Sequence, residues 1–142
     1  MSRFTPAEIE YLNSQRLGRL ATVNEKGDPH VVPVGFRYNA ETDTIDIGGH
    51  NFATSKKYRE AITHGRVAFV VDDVLPPWRP RFVEIRGTVE ALSTGGKSVV
   101  PGFDDEFIRI TPTYIVALIP DENSDMAQRR PQDIKITGRK VE

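Results

Sequence analysis

The sequence predicts a mainly β protein in which short antiparallel strands, with only one or two short helices, form a barrel or a sandwich. The segment His30–Tyr38 alternates apolar residues with other residues, which is the period of a half-buried strand. Turn-forming segments at Glu25–Asp28 and Asn39–Asp43 separate the early strands by hairpin-like distances and favour antiparallel pairing. Because few helices can cover such a sheet, closing it on itself is the simplest way to remove exposed edges.

The first elements follow from capping and alternation. Thr5 is suited to cap a helix that starts at Pro6, and Glu8 completes a capping box. Within the second strand, Pro33 has no N–H for a ladder, so the strand needs an edge or a bulge there. Gly35 permits the close approach of another group. The three early strands are predicted at Leu17–Val23, His30–Tyr38 and Thr44–Gly48.

The second half contains one clear helix, further strands and a polar end. The helix follows the glycines at 48 and 49 and ends at Gly65, a favourable C-terminal residue. The apolar run VAFVV inside Arg66–Asp72 predicts a strand buried on both faces. The remaining elements of one domain over residues 1–142 are a proline-rich loop at Asp73–Arg81, strands at Phe82–Leu92 and Tyr114–Ile119, a short helix at Asp104–Ile110, and a loose polar tail over residues 121–142.

Composition excludes several classes of protein. The 142 residues carry a formal net charge of −1, with no cysteine and three histidines. Disulfides, thiol nucleophiles and cysteine metal sites are therefore excluded, and His30, His50 and His64 lack metal-ligand spacing. The near-neutral charge argues against a nucleic-acid partner. With no signal-like segment and no apolar run approaching the ~20 residues of a membrane span, we expect a cytoplasmic protein without a membrane partner.

Two consecutive lysines stand at the start of the second helix, where the helix dipole disfavours cations. Lys56, Lys57 and the Ser55 hydroxyl would offset this cost if they bound a phosphate there, because unpaired N–H groups also point outward at that end. The alternative is a solvated helix face on which Lys56 pairs with Glu60 one turn later.

Three other groups of residues each allow a functional and a structural interpretation. The segment Val32–Val34 could wall an apolar ligand or simply belong to a core strand near an edge. The loop residues Trp78, Arg79 and Arg81 could contact a planar or anionic ligand, or form a surface loop pinned by a buried tryptophan. His30 is interpreted as a side chain that contacts the neighbouring strand, and His50 as a loop residue.

Taken together and in order, these segments resemble the split-barrel flavin and deazaflavin oxidoreductases of the pyridoxamine 5′-phosphate oxidase superfamily. The matching stretches are RLGRLATVNEKGDPHVVPVGFRY, TIDIGG, TSKKYREAITHGRVAFVVDD and RFVEIRGTVEAL, which cover most of residues 16–92. The segments GGH…SKKYR and PWRPR are similar to the branch of coenzyme F420-dependent enzymes. The tail RRPQDIKITGRKVE does not match the basic and aromatic substrate residues of the oxidases that act on pyridoxamine phosphate.

The resemblance implies an antiparallel split β-barrel and a homodimer with cofactor sites at the subunit interface. It implies that the cofactor phosphate lies at Ser55, Lys56 and Lys57, so the anion is the phosphate of a deazaflavin or flavin nucleotide. It also implies that the ring system lies along one strand and the end of the next, with the partner subunit contributing the start of a further strand. These positions are Val32, Pro33, Val34, Ile47, Gly48 and, from the partner, Arg81-Phe82.

The expected function is an F420-dependent oxidoreductase that transfers hydride between the deazaflavin and a small planar or unsaturated substrate. The cofactor carries the chemistry, so no side chain is assigned a catalytic role. Trp78 and Arg79 are the candidate substrate contacts, and Arg59, Arg79 and Arg81 are candidate cations for the anionic tail of F420. The alternatives are an FMN-dependent oxidoreductase, a non-catalytic flavin or deazaflavin carrier, and an oligonucleotide-binding barrel, which the low aromatic content disfavours.

Overall fold

The computed structural model describes residues 1–120 and 135–142, and in these residues the chain forms a closed antiparallel β-barrel with two short α-helices. Six strands close the ring, because the first and last strands of the order β3-β2-β1-β4-β5-β6 also pair with each other, and β7 adds to the free side of β6. The elements are α1 (Pro6–Ser14), β1 (Leu17–Val23), β2 (Pro29–Asn39), β3 (Thr44–Gly48), α2 (Lys56–His64), β4 (Arg66–Leu75), β5 (Arg79–Leu92), β6 (Phe107–Leu118) and β7 (Thr137–Lys140).

The N-terminal elements form where the sequence predicts them. The Thr5 hydroxyl accepts a hydrogen bond from the Glu8 N–H at 3.2 Å, and the Glu8 carboxylate accepts one from the Thr5 N–H at 2.9 Å. This reciprocal pair is the predicted capping box of α1. β1 and β3 have the predicted bounds, and β2 is one residue longer at each end.

The edge expected at Pro33 is present. β1 pairs with β2 from Pro29 to Gly35, whereas β3 pairs with β2 only from Gly35 to Asn39. At Pro33 the side of β2 that would face β3 therefore has no partner strand, and the missing N–H leaves no gap in a ladder.

The core fills the barrel with alternate side chains from the six strands of the ring. Gly18 lies directly against the ring of Phe69, so even a methyl group at this position would displace that ring. Phe69 in turn meets Phe36 edge to face, with 5.3 Å between ring centroids. The largest fully buried side chains are Phe52, Phe69, Leu12, Leu20, Ile45, Ile47, Ile85, Ile108, Ile110, Ile115, Val71 and Val83.

The proline-rich segment Asp73–Arg81 is not a loop, which corrects the prediction. β4 continues to Leu75 and β5 starts at Arg79, and these two residues pair across a tight turn that contains a cis Pro76-Pro77 bond. The prolines are tolerated because two of them occupy the turn and Pro80 lies in the first residues of β5, near the tip of the hairpin.

The apolar strand β4 is not buried on both faces, which is a second correction. Val67, Phe69 and Val71 are buried in the barrel, but Ala68 and Val70 on the outer face are only partly buried. A shallow cavity of about 330 Å³ opens on this face, and we call its surroundings the outer apolar face. Its lining residues are Arg19, Ala21, Val31, Ala68, Phe69, Val70, Phe82 and Glu84.

Two expectations for the C-terminal third were also wrong. The residues predicted as a short helix at Asp104–Ile110 instead lead into β6, which starts at Phe107 and extends through the strand predicted at Tyr114–Ile119. Of the tail over residues 121–142, residues 121–134 lie outside the described residues, and Thr137–Lys140 forms β7. In the part of the chain that is described, no helix combines the length and apolar character that a bilayer span requires.

Candidate functional site

The start of α2 is built around Ser55, which serves as the N-cap. Its hydroxyl accepts a hydrogen bond from the Tyr58 N–H at 3.3 Å and donates one to the Phe52 carbonyl oxygen at 2.6 Å. The first bond of the helix runs from the Arg59 N–H to the Ser55 carbonyl oxygen. The N–H groups of Lys56 and Lys57 therefore point out of the helix end without an intrahelical partner. Since the Ser55 proton is already used, this serine shapes the helix start while the backbone offers the donors.

Lys56 and Lys57 follow each other in sequence but have different surroundings. Lys56 is exposed and lines a cavity beside α2. Lys57 is partly buried, and its Nζ lies 5.6 Å from the centroid of the Phe52 ring, which is itself fully buried. This cation–π contact holds Lys57 at the junction between β3 and α2. The structure therefore places both lysines at the start of α2, with Lys56 facing open space.

The cavity beside α2 has a volume of about 610 Å³ and lies between this helix and the turn that joins β1 to β2; we call it the α2 groove. Three basic side chains, Lys26, Lys56 and Arg59, line it from both walls, beside the acidic residues 25, 28 and 60. Its lining residues are Val23, Asn24, Glu25, Lys26, Asp28, Lys56, Tyr58, Arg59, Glu60, Ile62, Thr63 and His64.

Glu60 forms the inner wall of the α2 groove and is tied to both strands beneath it. The Thr22 hydroxyl donates to Glu60 Oε2 at 2.7 Å, and His30 Nδ1 lies 2.8 and 3.0 Å from the two carboxylate oxygens. The hydrogen bond with His30, followed by that with Thr22, lowers the pKa of the Glu60 carboxyl below its usual range. His30 lies opposite Thr22 across β1 and β2, so the cross-strand position predicted for it is confirmed, but no sequence pattern indicates that Glu60 of α2 joins these two residues.

The strand positions expected to carry the ring system divide between the two sides of the barrel wall. Val34 and Ile47 are 4% and 0% exposed, and their side chains belong to the core. Val32 is half-buried and packs against the same core, whereas Pro33 is exposed on the outside, opposite Arg19. Only the Pro33 side chain and the backbone of this segment are therefore open to a ligand from the outer side.

Gly48, the other expected ring contact, forms a side-chain-free pair with Gly35 across β2 and β3. The Phe103 ring covers both residues, since a Cβ atom would lie 2.9 Å from it at Gly35 and 3.2 Å from it at Gly48. This ring is the group whose close approach Gly35 was predicted to permit. His50, a loop residue as expected, contacts Phe103 edge to face at 5.5 Å between centroids. No sequence pattern points to Phe103, because its contacts with residues 35 and 48 join distant parts of the chain.

Arg81 is engaged within its own chain. Its Nε and Nη2 donate hydrogen bonds to the two carboxylate oxygens of Asp73, at 2.9 and 2.6 Å. Its guanidinium carbon lies 4.8 Å from the centroid of the Tyr11 ring. The Arg81 hydrogen bonds hold the pKa of Asp73 below its usual range. Arg81 thus joins the β4–β5 hairpin to α1.

Trp78 and Arg79 lie at the tip of the β4–β5 hairpin. Trp78 is 52% exposed, and the Arg79 Nε donates to the Pro76 carbonyl oxygen at 3.1 Å. The α2 helix joins β4 at its other end, and the ten residues of β4 span about 30 Å. Within one subunit the structure therefore does not bring Trp78 and Arg79 together with Lys56.

No group of three or more His, Asp or Glu side chains within residues 1–120 and 135–142 is arranged to hold a metal ion. The α2 groove instead combines a helix end with three basic side chains, Lys26, Lys56 and Arg59, and three acidic ones, of which Glu60 is hydrogen bonded to Thr22 and His30. Such a set can bind and orient an anionic molecule.

Comparison with known proteins identifies the family of the chain. Residues 4–117 match the family described as pyridoxamine 5′-phosphate oxidase. The chain is 50% identical over 115 residues to a 5a,11a-dehydrotetracycline/5a,11a-dehydrooxytetracycline reductase from Streptomyces rimosus, with 80% of this chain and 81% of that protein covered.

Solved structures show the same fold at low sequence identity. A FAD-binding protein from Mycobacterium smegmatis is 22% identical, with a TM-score of 0.60 over 80% of this chain and 93% of that one. A pyridoxamine 5′-phosphate oxidase-related, FMN-binding protein from Nostoc punctiforme is 12% identical, with a TM-score of 0.59 over 98% of each chain. Together with the closed antiparallel barrel, these matches show that the chain belongs to the pyridoxamine 5′-phosphate oxidase family of split-barrel proteins and is an oxidoreductase.

Proposed function

We propose that this protein is an F420-dependent reductase that delivers hydride to a conjugated carbon–carbon double bond of a planar polycyclic substrate. The observation that carries this proposal is the 50% identity, over four-fifths of both chains, to a reductase whose named substrates are dehydrotetracyclines. These names describe an unsaturation between two numbered ring carbons, and reduction there consumes one hydride and one proton. The same reaction class is therefore the first to test.

The residues of the α2 groove fit an anionic nucleotide cofactor. The helix start and Lys56 would hold its phosphate, and Lys57 would add charge from the other side of the helix end. F420 carries a glutamate tail in addition to its phosphodiester, whereas FMN has only its phosphate. Lys26 and Arg59 line the same groove and can pair with that tail, which favours F420 over FMN. Arg81 is less available for this role because Asp73 holds it.

Bound reduced F420 would supply the hydride, and the chain would supply binding, orientation and a water-poor surface. The exposed Pro33 and the backbone beside it would support the ring on the outside of β2, while Gly48 would let the ring approach. Phe103 and His50 would border this surface at the paired glycines. Val34 and Ile47 would act through their backbone, since their side chains point into the core.

A homodimer would complete the site. The outer apolar face runs across β2, β1, β4 and β5, next to Pro33, and Val31 on it is 71% exposed. Packing two such faces together would bury them and would bring the partner's β4–β5 hairpin toward the site. Trp78 and Arg79 would then contact the substrate from the partner subunit, which their distance from Lys56 in one chain requires.

The deciding experiment is titration of the purified apo protein with F420 and with FMN, followed by absorbance and fluorescence. We expect F420 to bind more tightly. The reduced F420 complex should then be oxidised by 5a,11a-dehydrotetracycline, with quinones and simple enones as comparison acceptors. Tighter binding of FMN would overturn the cofactor assignment. If F420 binds but no acceptor in the set oxidises it in a protein-dependent manner, the protein is a carrier rather than a reductase.

A further inference from the structure

The His30–Glu60–Thr22 cluster lies under the surface that is proposed to bind the cofactor. Glu60 is in α2, one helical turn after Lys56, and both residues line the α2 groove. Thr22 is in β1 and His30 is in β2, so three hydrogen bonds of 2.7 to 3.0 Å attach α2 to two strands of the barrel. The cluster therefore fixes the position of the helix whose start holds the phosphate.

The charge of this cluster matters as much as its geometry. Glu60 is only 8% exposed and carries a negative charge close to a site for an anion. A carboxylate in that position opposes anion binding unless a nearby positive charge cancels it. The His30 side chain is 38% exposed and lies in direct contact with both Glu60 oxygens, and histidine is the side chain that changes charge between about pH 5 and 8.

We propose that Glu60 and His30 are positioning residues of the cofactor site: Glu60 holds α2 against the barrel, and His30 takes up a proton from solvent when the anionic cofactor binds. This inference rests on the proposed function, because it assigns the α2 groove to an anionic cofactor. It adds to that function a proton linkage, in which cofactor affinity and the charge of His30 depend on each other.

The other charged groups around the pair lie on α2 and on the β1–β2 turn. On α2 they are Lys56, Arg59 and His64, and the Nε2 of His64 donates to the Asn24 carbonyl oxygen at 3.0 Å rather than to Glu60. The β1–β2 turn contributes Lys26, Glu25 and Asp28, and β1 contributes the uncharged Thr22. His30 is thus the ionisable side chain that directly contacts the buried carboxylate.

The test compares F420 binding to wild type and to His30→Gln at pH 6 and pH 8. The titration of F420 itself is common to both proteins and cancels in the ratio of their dissociation constants. We expect His30→Gln to bind about threefold to tenfold more weakly than wild type at pH 6 and equally at pH 8. Calorimetry in buffers of different ionisation enthalpy should also show proton uptake by wild type that is reduced in the variant.

Glu60→Gln separates this role from simple structural support. The amide oxygen can still accept the Thr22 hydrogen bond, but the negative charge is removed. We expect tighter F420 binding than wild type at pH 8, by about threefold to tenfold, whereas loss of a structural brace would weaken binding at both pH values. Circular dichroism checks that each variant folds, and the partly exposed His30 provides the same test if Glu60→Gln does not fold.

The outcomes distinguish this inference from the function on which it rests. If wild type binds F420 but the His30→Gln ratio is the same at pH 6 and pH 8, the linkage is wrong and the proposed function stands. If wild type binds F420 at neither pH, both are wrong. A pH-dependent ratio together with tighter binding by Glu60→Gln at pH 8 supports the inference.

Discussion

Lys56 and Lys57 have different roles at the residue scale, although they are adjacent in the sequence. Lys56 opens onto the α2 groove, while Lys57 lies over the Phe52 ring. We expect Lys56→Ala to weaken F420 binding about tenfold, because a charge-assisted contact to phosphate is lost. Lys57→Ala should weaken binding less, and the double variant should lose at least tenfold. Fluorescence titration measures all three.

The matched control for these variants is Lys140→Ala, which removes an exposed lysine from β7. It should bind F420 like wild type. If Lys57→Ala costs more affinity than Lys56→Ala, the phosphate lies on the Phe52 side of the helix end and not in the α2 groove. All the variants should fold, since neither lysine at the helix start supports the core.

The charge of Asp73 contributes to stability where the β4–β5 hairpin meets α1. Arg81 holds it with two hydrogen bonds, and the Tyr11 hydroxyl donates to it at 3.0 Å. We expect Asp73→Asn to lower the free energy of unfolding by about 1–2 kcal/mol at pH 7. Because the folded-state pKa of Asp73 is lowered, its contribution is complete above the unfolded value of about 4 and is lost as pH falls through the folded one.

Urea unfolding at pH 7 and near pH 3 measures this difference. The difference in free energy of unfolding between Asp73→Asn and wild type should be smaller at the lower pH, because wild-type Asp73 loses its negative charge there. Asp105→Asn is the control, since Asp105 is half exposed and its nearest lysine nitrogen is 3.9 Å away. A gap that stays constant over this pH range would show that the charge of Asp73 is not what stabilises the hairpin.

At the scale of elements, β7 connects the two ends of the chain. Arg139 in this strand donates to both Glu8 oxygens, at 2.8 and 2.6 Å, and to the Arg3 carbonyl oxygen at 2.8 Å. Glu8 is only 3% exposed, so loss of Arg139 would leave a buried carboxylate without its counter-ion. We expect Arg139→Ala to lower the free energy of unfolding by about 2 kcal/mol, as measured by urea denaturation.

A second variant shows whether the loss of stability in Arg139→Ala comes from the unpaired charge of Glu8 or from a weaker β7 strand. Arg139→Ala combined with Glu8→Gln removes both charges, and it should recover part of the lost stability because no carboxylate is left unpaired. Lys140→Ala on the same strand should have little effect. If the double variant is less stable than Arg139→Ala alone, the capping bond of Glu8 matters more than its ion pair with Arg139.

The elements that sequence could predict are those with local signals. Thr5 and Glu8 define the start of α1, Gly65 with φ of 70° ends α2, and alternation marks β2. The sequence does not predict the β4–β5 hairpin, because prolines are disfavoured in strands. The pairing of Leu75 with Arg79 shows that Pro76 and Pro77 lie in the turn between the two strands. β7 was missed for a related reason: its polar residues become a strand only because β6 offers a free edge.

The candidate site could be predicted in part for the same reasons. The helix start at Ser55 follows from local sequence, so its position was found. Glu60 is 38 positions from Thr22 and 30 positions from His30 in the sequence, and no spacing pattern predicts contacts over such distances. The opposite problem affects Arg81, which looks like a free cation in the sequence but pairs with a residue eight positions earlier across the hairpin.

For the whole molecule, the outer apolar face predicts assembly. We expect Val31→Glu to convert a homodimer into a monomer, because a charge in the centre of two packed apolar faces would be buried without a partner. Light scattering at micromolar concentration should give about twice 15.9 kDa for wild type and 15.9 kDa for the variant. F420 binding or turnover should fall in parallel if the partner contributes to the site.

Ile136→Glu is the matched control, since Ile136 is 57% exposed just before β7 and is not among the residues that line the outer apolar face. It should remain dimeric. A wild-type mass near 15.9 kDa would show that the outer apolar face is not a subunit interface, and Trp78 and Arg79 would then have no route to the site.

The way in which β6 shares its free side also restricts how copies of this barrel can associate. One side of the strand pairs with β5 along its length, while the other pairs with β3 at residues 108–110 and with β7 at residues 114–117. The short interval between them contains Pro112, which has no N–H to offer. Residues 29–34 of β2 pair with β1 but not with β3, and Pro33 in this stretch likewise has no N–H to offer. These two stretches are therefore poor templates for an added strand, which favours contact between copies through their faces there.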